Sequence, residues 1–336
     1  MKKREKQLRE LFNKFDDKKV LIIGDVMIDI YLFGKVTRIS PEAPVPVVDV
    51  FRRNNRLGGA ANVALNVRAL NAKPILCSVI GNDDAGFEIS QLLFQEKMAT
   101  EGLILGCNRK TTKKYRIIGN STQMLRIDEE DNHPLTEQEE TQFWRAIQDI
   151  LKNEHIDVII FQDYDKGSIT PNIIKWTTEW ARANNVPTVV DPKKRNFLEY
   201  KDVTLFKPNL KELYEGMEIP QNAYKEESKE TIIEKLSKKN RPELIMVTLS
   251  EQGILIYNKT KFEYFPACIR NIADVSGAGD TVVSVAALTL ACGESSRSIA
   301  ELSNLAGGLV CEYIGVVPIN KEQFLNEAII NGSNTN

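Results

Sequence analysis

The amino-acid sequence predicts an α/β protein: a mostly parallel central sheet with helices on both faces, plus a small β-sheet lid. Three observations carry that expectation. Short aliphatic and β-branched runs alternate with helical patterns from position 18 almost to the end of the chain, and such alternation implies a parallel sheet covered on both sides. The chain has 336 residues, 42% hydrophobic and 27% charged, which is enough to bury a large core within one domain. Two stretches, about 31–57 and 103–128, break the rhythm with prolines and extra strand patterns. They read as one accessory sheet, placed as a lid.

Residues 1–17 read as an amphipathic helical extension, with Leu8, Leu11, Phe12 and Phe15 at helical spacing. KKVLIIGDVMID is a buried strand ending at Gly24–Asp25. From Tyr31 to Arg56, Pro41, Pro44 and Pro46 argue for short strands and turns outside the main sheet. GGAANVALNVRALN (58–71) is a small-residue helix, PILCSVIG (74–81) a strand and AGFEISQLLFQEKM a helix. LILGC, KKYRII and QMLRID are assigned to the accessory sheet. Thr136, with Glu139 three residues on, marks a capping box at the next helix start. DVIIFQDY is a strand, and TPNIIKWTTEWARANN a helix with proline in its first turn. PTVVDPK and DVTLFKPN are strands, ESKETIIEKLSKKN a helix, ELIMVTLS a strand, and GILIYNK with KFEYFPA a hairpin-like pair. TVVSVAALTLAC and SIAELSNLAGGLVCEYIG are the closing helices, and the tail 329–336 is expected to fray. Residues 18–328 thus form the single expected domain.

Composition excludes several function classes. Forty-four basic against 46 acidic residues leave a net charge of -2, so nothing points to nucleic acid or a membrane surface as partner. No apolar run reaches the roughly 18 residues of a membrane span, and the charged start MKKREKQLRELFNKFDDKK lacks the apolar stretch of a secretory signal. Five cysteines (Cys77, Cys107, Cys268, Cys292 and Cys311) contain no C-x-x-C. A disulfide framework or zinc knuckle is not expected, and the reducing cytoplasm is the expected compartment. With only His133 and His155, HExxH sites and histidine clusters cannot be built. Carboxylates or backbone amides are left to do any chemistry.

DVSGAGDT (274–281) precedes an apolar helix. Gly277, Ala278 and Gly279 lack bulk, so their amides can converge at a helix N-terminus that favours an anion. Asp280 sits on the same turn, where an ionised carboxylate suits a general base beside a phosphoryl group; an N-cap aspartate after a glycine turn fits it too. The motif is neither a Walker P-loop nor G-x-G-x-x-G, because Val282 stands where the third glycine would be. At the other end, Asp25 and Asp29 in GDVMID join Gly58, Gly59 and Asn62 of GGAAN. Carboxylate and amide side chains at a strand end suit a polyol, and turn aspartates with a cap are the plainer alternative. In KPNLKE, Asn209 and Glu212 lie three apart and can order water around Mg²⁺ or simply cap a helix. Thr248, Ser250 and Gly253 of VTLSEQG offer hydroxyls and a turn to a nucleotide, and Lys193 of DPKK offers a positive charge.

In this order, GDVMID, GGAAN, KPNLKE, VTLSEQG and DVSGAGDT resemble the ribokinase-like (PfkB) carbohydrate kinases over about 18–318. The resemblance implies that fold and an ATP-dependent transfer of phosphate to a sugar hydroxyl. It assigns Asp280 as base, Gly277–Gly279 as anion hole, and Asp25, Asp29, Gly58, Gly59 and Asn62 as sugar contacts. Lys193, Asn209, Leu210, Lys211, Glu212, Thr248, Ser250, Gly253 and Asn304 fall to ATP, with Mg²⁺ held through water by Asn209 and Glu212. A monovalent cation such as K⁺ near Asp274 and a homodimer through the lid sheets are implied as well. TRISPEAPVPVVDV (37–50), LGGAANVALN, QDYDKG, VVDPK and KPNLKE further resemble kinase domains acting on D-glycero-β-D-manno-heptose 7-phosphate in lipopolysaccharide-core synthesis. Arg38, Lys114 and Arg116 are candidates for the substrate phosphate. Relatives of that kind often carry an adenylyltransferase domain with a GxFDxLHxGH-type motif; it is absent here, so a single-function kinase is expected. Ser276, Gln162 and Lys207 stand where Thr, Ser and Thr are common.

Alternatives remain open at this point. A PfkB kinase for another sugar, sugar phosphate or nucleoside shares every motif above, and a non-catalytic sensor on the same fold would lack turnover. A dinucleotide oxidoreductase is disfavoured by the failed G-x-G-x-x-G.

Overall fold

The computed structural model describes residues 2–220, 227–268 and 270–333. Helix α1 (Lys2–Lys14) leads into β1 (Lys19–Gly24), β2 (Val26–Ile39) and β3 (Pro46–Gly59). Helix α2 (Ala60–Ala69), β4 (Lys73–Gly81), α3 (Asp84–Gln95), β5 (Leu103–Gly106), β6 (Thr112–Gly119) and β7 (Thr122–Glu129) follow. Next come α4 (Glu137–Asn153), β8 (Val158–Gln162), α5 (Pro171–Ala183), β9 (Thr188–Asp191), β10 (Leu205–Phe206), α6 (Leu210–Gly216) and α7 (Lys229–Asn240). The chain closes with β11 (Leu244–Thr248), β12 (Ile254–Tyr257), β13 (Phe262–Phe265), α8 (Ala278–Ala291), α9 (Ser296–Val310) and α10 (Lys321–Ser333).

Nine strands form the main sheet in the order β13-β12-β11-β10-β9-β8-β1-β4-β5. All neighbours are parallel except β11–β12 and β12–β13. Strand β1 explains why both faces must be covered. Its side chains alternate, so Val20 and Ile22 join one core with α2, α8 and α9, while Leu21 and Ile23 join the other with α4, α5 and α7. All four are fully buried, and each such aliphatic stabilises the fold by roughly 1.5–3 kcal/mol. Parallel register sets Gly24 beside Gln162 and Gln162 beside Asp191. Three neighbouring strands therefore end together, in the place where open α/β sheets bind ligands.

The accessory sheet is four-stranded, β3-β2-β6-β7. Asp25 is the single residue between β1 and β2, and Gly59 joins β3 directly to α2, so the sheet hangs from the main body beside those strand ends. Strand β7 is exposed along its whole length, with Met124, Leu125 and Ile127 uncovered, as are Val50 and Phe51 of β3.

Four expectations need correction. Segment 31–57 holds long strands rather than short ones: β2 and β3 run 14 residues each, and the prolines confine themselves to the turn between them and the first residue of β3. Irregularities at Phe33/Gly34 and Val36/Arg38 absorb the misfit. Strand β5 lies outside the accessory sheet: LILG pairs in parallel with β4 at the edge of the main sheet, a partner no local pattern specifies. Helix α10 was not anticipated, and residues 329–333 belong to it rather than to a frayed tail; 334–336 lie outside the described residues. Phe324 of α10 is buried and meets Phe12 of α1 at 4.9 Å between ring centroids, so its order comes from packing. The capping box of α4 forms as read, with Thr136 and Glu139 satisfying each other's backbone N–H groups.

Candidate active site

Helix N-termini leave backbone N–H groups without partners inside the helix. Side chains cap α3, α4, α5, α6, α7 and α9. No side chain caps α2 or α8, and these two helices meet where the strands end. Gly277 precedes α8 with φ +82°, a left-handed conformation that disfavours other residues. Gly277 and Ala278 are half-buried and Gly279 is exposed. A Cβ added at Gly279 would find no atom nearer than Asp191 Oδ2 at 3.9 Å. The Ala278 N–H already donates to Val275 O at 3.3 Å, and open space lies against Gly279 at this tip, as an anion site requires.

Asp280, one residue further, is 3% exposed. Its Oδ2 accepts from Asn62 Nδ2 at 2.7 Å, and its Oδ1 from Tyr164 Oη at 2.8 Å and Gln162 Nε2 at 3.1 Å. Burial pushes the carboxyl up to about 7; the donors Asn62 and Tyr164 oppose that rise, and the charges of Asp191 and Asp29 add to it. Gln162 also donates to Asp191 Oδ2 at 3.0 Å, and Lys207 Nζ balances Asp191 Oδ1 at 2.9 Å in an ion pair nearly closed to water. Asn66, one turn beyond Asn62, accepts from the Thr281 hydroxyl at 3.0 Å and the Ile319 N–H at 3.1 Å, which locks α2 to the first turn of α8. The arrangement can take a proton near neutral pH beside a held anion.

The expected sugar contacts divide. Asn62 is turned onto Asp280. Asp25 is 1% exposed and accepts from the backbone N–H of Tyr164, Lys166 and Ser168 at 2.9, 3.1 and 3.0 Å. It organises the QDYDKGS turn. Asp29 forms a buried ion pair with Arg116. Gly58 has no room for a side chain because a Cβ there would collide with Asp29 Oδ2, and Gly59 likewise lies against the Asp25 carbonyl. Lys114 is tied to Asp128 at 3.0 Å and Glu130 at 3.1 Å. Arg38 is exposed and lies nine residues along β2 from Asp29, beside Val47 of β3.

On the nucleotide side, Asn209 and Glu212 form a reciprocal capping box on α6, each side chain accepting from the other's N–H at 2.8 Å. The second Glu212 oxygen pairs with Lys193. Burial disfavours the charge on Lys193, but Asp191 and Glu212 outweigh it and hold the amine above its usual range. Leu210 packs on the second core, and Lys211 is exposed, so neither is positioned as a contact. Thr248 bridges to Asn209, Ser250 is exposed and Gly253 closes the turn into β12. Asn304 donates to Pro266 O at 2.8 Å and lines a cleft of about 980 Å³ between α1, α9 and β13. Both Asp274 oxygens accept N–H groups, from Ser276 and Gly315 at 2.9 Å each. Burial works against its charge, yet these donors hold the carboxyl below the usual range. Among the described residues, no cluster of three or more His, Cys, Asp or Glu forms a metal site.

Sequence reasoning left Tyr164, Gln162, Lys207, Asn66 and Arg56 without roles. Position on a strand end flags Gln162, and the i, i+4 spacing from Asn62 flags Asn66. Arg56, whose guanidinium lies 4.9 Å from the Tyr31 ring centroid and donates to Val316 O at 2.8 Å, carries no local signal.

Residues 17–322 match the profile of the pfkB family carbohydrate kinases. The chain is 39% identical over 311 residues to a protein named bifunctional protein HldE from Caulobacter vibrioides, covering 92% of this chain and 63% of that one. It is 35% identical over 326 residues to another of that name from Pelobacter propionicus, covering 96% and 65%. The chain thus spans less than two thirds of the length of each of these two relatives. Among solved structures, phosphofructokinase-2 from Escherichia coli in complex with potassium superposes with a TM-score of 0.76 at 16% identity, covering 94% of this chain and 99% of that one. A putative ribokinase from Agrobacterium tumefaciens gives 0.73 at 18%, covering 95% and 100%. The fold is ribokinase-like, and the family match places the chain in a class of carbohydrate kinases. The chain belongs to the pfkB family of carbohydrate kinases.

Proposed function

We propose that this protein transfers the γ-phosphate of ATP to the anomeric hydroxyl of D-glycero-β-D-manno-heptose 7-phosphate, forming the 1,7-bisphosphate and ADP for lipopolysaccharide-core synthesis. The observation that carries the reading is the uncapped tip of α8 with Asp280 buried in its first turn. Asp280 takes the hydroxyl proton as the sugar oxygen bonds to γ-phosphorus and the bond from phosphorus to the ADP oxygen breaks. The amides of Gly277–Gly279 face the charge on the phosphoryl group in flight. Relatives named HldE at 39% and 35% identity support the heptose assignment. Arg116, paired with Asp29, and Arg56 flank Tyr31, 5.3 and 4.9 Å from its ring centroid, and are the candidates for the 7-phosphate.

Both Glu212 oxygens are already bonded, so Asn209 and Glu212 fit Mg²⁺ only through water, the usual habit of that ion beside phosphates. Bound there, Mg²⁺ would neutralise phosphate charge. Asp274 would favour a monovalent cation by its retained negative charge. The uncovered Val50, Phe51, Met124, Leu125 and Ile127 support a homodimer through the lid sheets. No described helix is long and apolar enough to cross a membrane, and the unpaired cysteines suit the cytoplasm.

The test is ATP turnover with heptose 7-phosphate beside ribose and fructose 6-phosphate. A preference in kcat/KM of about 10²-fold or more for the heptose is expected from polar contacts that the competitors leave unpaired. Equal or greater efficiency with either competitor would replace the heptose assignment while leaving the kinase class intact.

A further inference from the structure

We propose that Tyr164 holds the acceptor hydroxyl's place at Asp280 in the free protein and yields it when the sugar binds. The inference rests on Asp280 being the proton acceptor. An acceptor hydroxyl must come within about 2.6–3.2 Å of the base, and three donors already crowd that carboxylate. Two of them are fixed. Asn62 is fully buried, and its side-chain Oδ1 accepts from Asn66 Nδ2 at 3.3 Å. Gln162 is 1% exposed and is held by its second bond, to Asp191.

Tyr164 is different. Its backbone is pinned by the N–H to Asp25, between buried Asp163 and Asp165, which adopts φ +57°. Its ring is half-buried rather than enclosed, and the hydroxyl's one described partner is Asp280 Oδ1 at 2.8 Å. Yielding the place requires a side-chain rotation that takes the phenol off Asp280 towards the partly exposed side of the residue, past the Lys193 ammonium that lies 5.3 Å from its ring centroid. The hydroxyl is a donor and no rival base: burial first, then the charges of Asp280 and Asp191, keep it protonated far above its usual range. A donor at the place where a substrate O–H must donate is a positional mimic of that substrate. Tyr164 is thus a positioning residue for Asp280, and water is kept off the base until a sugar arrives.

The test is Tyr164→Phe in the full chain, with pH profiles of kcat/KM for the sugar phosphate and of kcat at saturating ATP. The first profile reports the enzyme before sugar binds and the second the complex. Other groups facing Asp280 are Asp191 paired with Lys207, Asp29 paired with Arg116, and Lys193 paired with Glu212; the substitution leaves them in place. Loss of a donor to the charged form should raise the acidic limb of kcat/KM by about half a unit to one unit. The limb of kcat should stay where it is, because the phenol has already left. Limbs that shift together would show that Tyr164 stays on Asp280 through turnover, and limbs that both stand still, or a shift in kcat alone, would equally overturn the proposal. Turnover by Asp280→Asn separates the two readings: a near-normal rate removes the base itself, whereas an inactive Asp280→Asn beside unsplit limbs removes only the role of Tyr164.

Discussion

The tips of α4 and α8 place a buried carboxylate at the same position, the third residue of the helix, and treat it in opposite ways. Glu139 is 4% exposed and Asp280 3%. Glu139 accepts from the Thr136 N–H and hydroxyl at 2.9 Å each and from the Cys107 N–H at 3.0 Å. Burial pushes it up, but those donors and Arg109 win and hold it below the usual range. Asp280 also has three donors, yet they are neutral side chains from α2, β8 and the turn after β8, and two further carboxylates face it. Burial wins there, and the group rises to about 7. A carboxylate that closes its own helix is stabilised in its charged form; one held by remote neutral side chains and faced by other carboxylates is pushed towards its neutral form, the environment in which functional groups are often found.

The largest expected effect breaks the α8 side. Asp280→Asn should cut turnover by about 10²–10⁴-fold and abolish the acidic limb near pH 7, while ATP binding measured by calorimetry persists. A smaller loss sharpens the role of the open amides. Gly279→Val meets no protein atom at Cβ nearer than 3.9 Å, so the melting temperature should hardly move. The added bulk should still crowd the anion and lower kcat/KM for ATP by about tenfold or more, a smaller loss than the roughly 10²–10³-fold that follows outright removal of one such donor. Unchanged kinetics would mean that the phosphoryl group lies elsewhere.

The smallest effect belongs to α4. Thr136→Ala should cost about 1 kcal/mol of stability with kcat unaltered, as read by denaturant unfolding and steady-state assay. Glu139 has a folded pKa below its ordinary 4.5. Its contribution is therefore complete above that value and vanishes as pH falls through the folded one. The stability gap between wild type and Glu139→Gln should accordingly close in acid. Asp280 works with the opposite sign: its raised pKa makes folding less favourable as pH climbs from about 4 towards 7.

Local pattern was enough to read the βα rhythm, the Thr136–Glu139 box and the GAGD turn, because each depends on residues within a few positions of one another. It misassigned β5, whose partner β4 lies more than twenty residues earlier, and it missed α10, which is ordered by Phe12 across the fold. At the site, motif order brought Asp280, Asn62, Asn209 and Glu212 to notice, but not what each touches. Asp25, one of the expected sugar contacts, accepts three backbone N–H groups of a single turn, and Arg38 is exposed towards the far end of β2; neither environment can be read from the motif.

By itself, then, the sequence determined which chemistry was available: carboxylates and amides, two histidines, small residues before an apolar helix. Only the tertiary structure decided which carboxylate is buried among donors and pushed up to about 7. Charge, burial and donors at Asp280 come from β2, β8, β9 and α2, segments separated by up to about 250 residues, and a pKa is set by what surrounds a group in space rather than along the chain.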